Sequence, residues 1–82
     1  MQCFVYRSAR KAETYLYVRR RDDFAQVPGP IVAALQPLQF VLELTLEPER
    51  RLARVDAAEV RAALEQRGWF VQHPPAPQAP ED

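Results

Sequence analysis

Eighty-two residues, 48% hydrophobic and 10% aromatic, suffice for one small globular domain and exclude an intrinsically disordered chain. No run of about 18 apolar residues is present, which excludes a membrane-spanning helix. The formal net charge is zero, yet residues 1–21 set six basic groups against Glu13, whereas residues 22–82 set five basic against ten acidic groups.

The first segment, Gln2 to Arg7 (QCFVYR), has the aromatic and β-branched character of a strand, and Thr14 to Val18 (TYLYV) repeats it. The polar stretch Ser8 to Glu13 joins them, so a β-hairpin with a loop of about six residues is expected. A two-residue period puts Cys3 and Val5 on one face, opposite Phe4 and Tyr6, and sets Tyr15 and Tyr17 against Leu16 and Val18. Either both faces are covered, or one displays aromatic rings to a partner. Strands this apolar more commonly have both faces covered.

Arg19, Arg20 and Arg21 end the hairpin in positive charge, and Asp22 or Asp23 is placed to cap a helical turn with Phe24 and Val27 inward. Pro28-Gly29-Pro30 breaks that turn, and Pro30 suits the first position of a short helix, PIVAALQ, which Pro37 ends. Leu38 to Leu46 is the clearest strand. Its leucines and Phe40 alternate with Gln39, Val41, Glu43 and Thr45, which predicts one core face and one largely polar face. A charged turn at Glu49-Arg50-Arg51 and a short edge strand at Leu52–Val55 follow.

A helix then begins at an Asp56/Glu59 capping box, with Val55 and Val60 at the spacing of a hydrophobic staple. Val60, Ala63, Leu64 and Ala57 form its apolar stripe. Gly68 supplies the left-handed residue that ends such a helix, and Trp69 to Gln72 reads as a last strand. The expected fold is α+β, a mainly antiparallel sheet of about four strands with two to three helices packed on it. The domain spans residues 1–73. Residues 74–82, rich in proline, read as a flexible tail whose P-x-x-P spacing is too common to imply a ligand.

Few residues offer chemistry. Cys3 and His73 are each the only one of their kind, and the two glycines do not make a phosphate loop, so no catalytic residue, metal or cofactor is expected. One cysteine forms no internal disulfide, and the N-terminus lacks the order of a signal peptide, so a cytoplasmic location is expected. Asp22-Asp23 is the tight carboxylate pair in the body of the chain, although capping explains one of them.

The best binding surface in the sequence comprises Arg7, Ser8, Arg10, Lys11, Tyr15, Tyr17, Arg19, Arg20, Arg21, Asp22 and Asp23. Single-stranded RNA binders combine such cations with rings on an open sheet. Against this, Arg7–Lys11 and Arg19–Arg21 fall at opposite ends of a hairpin, and the tyrosines can instead be core. The reading is a non-enzymatic binding or adaptor module for a protein or nucleic-acid partner. Its alternatives are an RNA-binding accessory domain on the basic hairpin, or a small ligand-binding or enzymatic domain around Arg7, Asp22 and Asp23. A monomer is expected, or a weak homodimer through an exposed strand edge.

The pattern C-x-x-Y-R-S at Cys3 to Ser8, T-Y-L-Y-V at Thr14 to Val18 and R-D-D-F-x-x-V-P at Arg21 to Pro28 resembles the bacterial YcgL-like domain family. Leu52-Ala53, V-R-A-A-L at Val60 to Leu64, Gln66, Gly68, Phe70, Gln72 and Pro74-Pro75 continue the resemblance over about residues 1 to 75. It implies a small fold with helices on a mainly antiparallel sheet, and it carries over no catalytic residue, because the family is uncharacterised. Gln36-Pro37 departs from it where a glycine-containing turn is expected, and His73 where an apolar residue is usual.

Overall fold

The structure, a computed structural model, describes residues 1–46 and 57–73. Strand β1 (Gln2–Ser8) and strand β2 (Tyr15–Val18) form the expected hairpin. Helix α1 (Gly29–Leu35), strand β3 (Leu38–Thr45), helix α2 (Ala57–Gln66) and strand β4 (Trp69–Gln72) complete the described elements. The four strands form one antiparallel sheet in the order β3-β1-β2-β4. The expected strand at Leu52–Val55, the Asp56 cap and the tail from Pro74 lie outside the described residues.

Over the hairpin strands both sheet faces are covered, which answers the question left open by the hairpin's aromatic character. Cys3, Val5 and Tyr17 turn to one face, where Val60, Leu64 and Ala57 of α2 close over them with Leu46. Tyr6, Leu16 and Val18 turn to the other, under Leu35 of α1 and Val27 of the preceding loop. The central strands β1 and β2 are therefore apolar on both sides because each side has a layer to meet.

Strand β3 departs from simple alternation. Val5 pairs with Leu42 but Tyr6 pairs with Phe40, so Val41 is an extra residue in a β-bulge. An extra residue inverts the facing of everything beyond it. Leu44 accordingly packs on the α2 side and Leu38 on the α1 side. The expectation of one continuous core face from Leu38 to Leu46 is corrected in this way. On this edge strand Val41 and Leu42 are each 43% exposed and Phe40 38%.

Local chemistry sets the element ends. Pro30 sits in the first turn of α1, where a missing N–H costs nothing. The Gln36–Pro37 peptide is cis and leads directly into β3. At the end of α2 the N–H groups of Arg67 and Gly68 both reach the Ala63 carbonyl, at 2.8 and 3.1 Å. Gly68 then turns the chain out at φ 90°, a conformation that glycine adopts without a Cβ penalty.

The buried tyrosines are tied at their hydroxyls. Tyr17 donates to Gln72 Oε1 at 2.7 Å across β2 and β4, and its ring meets Phe70 edge-on. Burial raises the Tyr17 phenol above its ordinary value of 10.0, and the neighbouring Cys3 and Tyr15 add to the rise. The folded protein thus keeps a proton that the unfolded chain releases. This contribution is fully present below the unfolded value, about pH 10, and is lost as pH climbs through the raised folded value. We expect urea-unfolding stability to decline above about pH 10 and Tyr17→Phe to shallow that decline. An equally steep decline in the variant would remove Tyr17 as its source.

Candidate functional site

Pairing of β2 with β4 creates a site-like feature among the described residues. Val18 lies opposite Trp69 in an antiparallel ladder, so Arg19, just after Val18, is brought beside Gly68, just before Trp69. Arg19, Arg20, Asp23, Ala25, Gln26 and Gly68 line a polar hollow of about 280 Å³ there. The loop that supplies five of these residues is held by the core beneath it. Tyr6 is the anchor: its hydroxyl donates to Asp22 Oδ1 at 2.9 Å and accepts the Asp22 N–H at 2.6 Å. That clamp holds Asp22 at φ 60°, a left-handed conformation that Asp adopts more readily than most residues. Burial raises the Tyr6 phenol, so it stays protonated and remains a donor near neutral pH.

Asp23 is fixed in turn. Its Oδ1 accepts the Ala25 N–H at 3.0 Å, and Val27 N–H closes the turn onto the Phe24 carbonyl at 3.0 Å. The expected capping role therefore falls to Asp23, while Asp22 serves Tyr6. Gln26 lies over Gly68 so closely that a Cβ at position 68 would overlap its Oε1. The positive φ favours glycine there, and any larger residue would also have to displace the Gln26 amide.

The electrostatics of the hollow follow from its lining. Arg19 and Arg20 are exposed, and neither forms an ion pair among the described residues. Each guanidinium carries five N–H donors, which suit a carboxylate or phosphate in a two-pronged contact. Among the described residues one carboxylate, Asp23, lines the hollow with them, which leaves a surplus of one positive charge there.

The remaining sequence-predicted residues separate into other places. Arg7 is exposed on β1, and its Nη2 donates to Gln39 Oε1 at 3.0 Å. Ser8 is buried: its Oγ accepts the N–H groups of Arg10 and Lys11 and donates to the Leu35 carbonyl. Arg10 and Lys11 stand exposed on the hairpin loop, where Arg10 borders an open depression of about 420 Å³ with Phe24, Gln36, Pro37 and Leu38. Tyr15 is half-buried and packs against the α2-side core, to which the buried Tyr17 belongs. Arg21 leaves its neighbours and stacks over Phe40, 4.2 Å from the ring centre, with its Nε 4.0 Å from Asp22 Oδ2.

Eleven predicted positions thus yield three that share one hollow: Arg19, Arg20 and Asp23. Gln26 and Gly68 join them without having been singled out as site residues. Their signal lies in strand order, because only the β2–β4 pairing brings residue 68 to residue 19. Among the described residues no group of three His, Cys, Asp or Glu side chains is placed to hold a metal ion. No helix among them is long and apolar enough to cross a membrane.

Comparison with known proteins gives a consistent family. A model described as the YcgL domain matches residues 3–75. The chain is 50% identical over 74 residues to a YcgL domain-containing protein of Xanthomonas euvesicatoria pv. vesicatoria (strain 85-10), an alignment covering 90% of this chain and 86% of the relative. It is 45% identical over 76 residues to a YcgL domain-containing protein of Stenotrophomonas maltophilia (strain K279a), covering 93% and 88%.

Proposed function

The chain belongs to the YcgL domain family, and we propose that it is a non-catalytic binding module that receives an acidic group of a protein or nucleic-acid partner in the hollow between β2 and β4. The observation that carries this reading is the exposure of Arg19 and Arg20, unpaired among the described residues, beside a hollow that Gly68 and Gln26 also line. A backbone frame already set before an anion docks limits the ordering cost to the two side chains, and a planar guanidinium fork loses less freedom per hydrogen bond formed than a flexible single donor. The Tyr6 clamp and the Asp23 turn provide that frame.

The broader RNA reading relied on hairpin rings as a stacking platform. Tyr6 and Tyr17 are buried and Tyr15 is half-buried, so the cations carry most of what still speaks for it. The enzymatic reading placed Arg7 with Asp22 and Asp23. Arg7 is engaged with Gln39, and Asp22 with Tyr6, which favours a binding role.

The test is titration of labelled poly-L-glutamate and poly-uridine with the protein at several salt concentrations. The wild-type protein binds at least one probe, and its affinity falls as salt rises. Arg19→Glu with Arg20→Glu weakens that binding by about tenfold or more, whereas Arg7→Glu with Arg10→Glu leaves it within about twofold. Binding unaffected by the first pair, or insensitive to salt, contradicts the reading.

A further inference from the structure

We infer that Asp23 makes the hollow selective for a carboxylate-bearing peptide segment over a phosphodiester backbone. The inference rests on the reading of the hollow as an anion-receiving site and specifies what it receives.

The lining is not that of a plain anion site. Arg19 and Arg20 offer only donors, whereas Asp23 offers only acceptors. Asp23 is oriented by the Ala25 N–H on Oδ1, which leaves Oδ2 for another contact. Neither arginine comes within ion-pair distance of it, so the two signs of charge stand apart across the hollow.

A ligand that satisfies both walls carries an anion and, a few ångströms away, an N–H donor. A glutamate or aspartate in an extended peptide has both: its side-chain carboxylate suits the arginines, and a backbone N–H suits Asp23. A phosphodiester linkage has acceptor oxygens alone, so it meets the arginines while its charge faces the Asp23 carboxylate without a donor between them. Like charges so placed oppose binding, and this is how a binding site rejects one partner while accepting another.

Size and surroundings agree. About 280 Å³ lies just under the roughly 300 Å³ at which small-molecule pockets begin, enough for an acidic side chain and its peptide unit. No aromatic ring lines the hollow. The ring next to Gly68 in the chain, Trp69, is partly buried against the α1-side core and already carries the Arg67 guanidinium 4.3 Å from its ring centre, and Arg67 Nε donates to the Trp69 carbonyl. Nucleic-acid sites of the single-stranded kind need free rings for bases.

The test compares two probes of equal charge. One is an acetylated, amidated hexapeptide alternating glutamate and serine; the other is an abasic deoxyribose tetranucleotide without terminal phosphates, whose linkages have no 2′-hydroxyl or base N–H beside them, so that each carries three negative charges. At fixed ionic strength the wild-type protein binds the peptide at least about tenfold more tightly than the tetranucleotide. Asp23→Asn, which keeps the acceptor for the Ala25 N–H but removes the charge, reduces the difference to about threefold or less, with the tetranucleotide gaining affinity. Equal or tighter binding of the tetranucleotide by wild-type protein overturns the selectivity. If that binding is still lost with Arg19→Glu and Arg20→Glu, the anion-receiving site survives and only the selectivity falls. If neither probe binds, both fall.

Discussion

Leu16→Ala lowers the free energy of unfolding by about 3 kcal/mol, within the range of about 2–5 kcal/mol for emptying a packed leucine site. Leu16 is fully buried in β2, paired with Tyr6 on one side and Val71 on the other. It joins Val18, Val27 and Leu35 beneath α1. A strand flanked on both sides and covered on both faces cannot collapse to fill the space, so the loss has both a transfer and a cavity component. A domain this small has a stability of roughly 5–10 kcal/mol, so the variant forfeits a large share of it. Urea unfolding followed by far-ultraviolet circular dichroism measures the change, and a loss under about 1 kcal/mol would mean that the α1 layer does not pack as described.

Ser8→Ala costs about 2 kcal/mol, although the change removes a single oxygen. Ser8 Oγ accepts N–H groups from Arg10 at 3.1 Å and Lys11 at 3.0 Å, and donates to the Leu35 carbonyl at 2.6 Å. It therefore joins the hairpin loop to the C-terminal end of α1. Alanine strands two donors and one acceptor at a place that is 3% exposed, where water restores only part of what is lost. Arg10→Ala is the control. Its side chain is exposed, so the substitution shifts stability by no more than about 0.5 kcal/mol. A Ser8→Ala protein as stable as the Arg10→Ala control would show that the loop does not depend on this oxygen.

The two substitutions mark where residue chemistry makes the structure legible in the sequence and where it does not. The hairpin, α1, α2, the Gly68 stop and the last strand all follow from short-range signals: periodicity, proline placement and a glycine able to adopt positive φ. The bulge at Val41 could not be read that way. It depends on how β3 meets β1, and it exchanges the faces of Leu38 and Leu44 without altering the alternation of residue types. Ser8 illustrates a similar limit. A serine between a strand and a basic loop has the composition of a surface, whereas its burial arises from α1 ending against it, 27 residues later.

The hollow was half visible. Arg19, Arg20 and Asp23 stand out because charge accumulates where the hairpin ends. Their partners Gln26 and Gly68 carry no such signal, since Gln is chemically unremarkable and Gly68 is fully explained as a helix stop. Strand order brings them together: β4 lies beside β2 and runs antiparallel to it. The same order disperses the other candidates. Arg21 turns back over Phe40, and Arg7, Arg10 and Lys11 remain toward the opposite end of the hairpin.

The most direct test of the hollow as the binding site is a backbone amide ¹H–¹⁵N correlation spectrum of the protein, recorded during titration with the glutamate–serine hexapeptide. Saturable shifts concentrated at Arg19, Arg20, Asp23, Gln26 and Gly68 are expected, with Arg10, Lys11 and the β3 edge unmoved. Shifts concentrated instead at Phe40, Val41 and Leu42, or along the hairpin loop, would contradict that expectation and move the interface to the sheet edge or the loop.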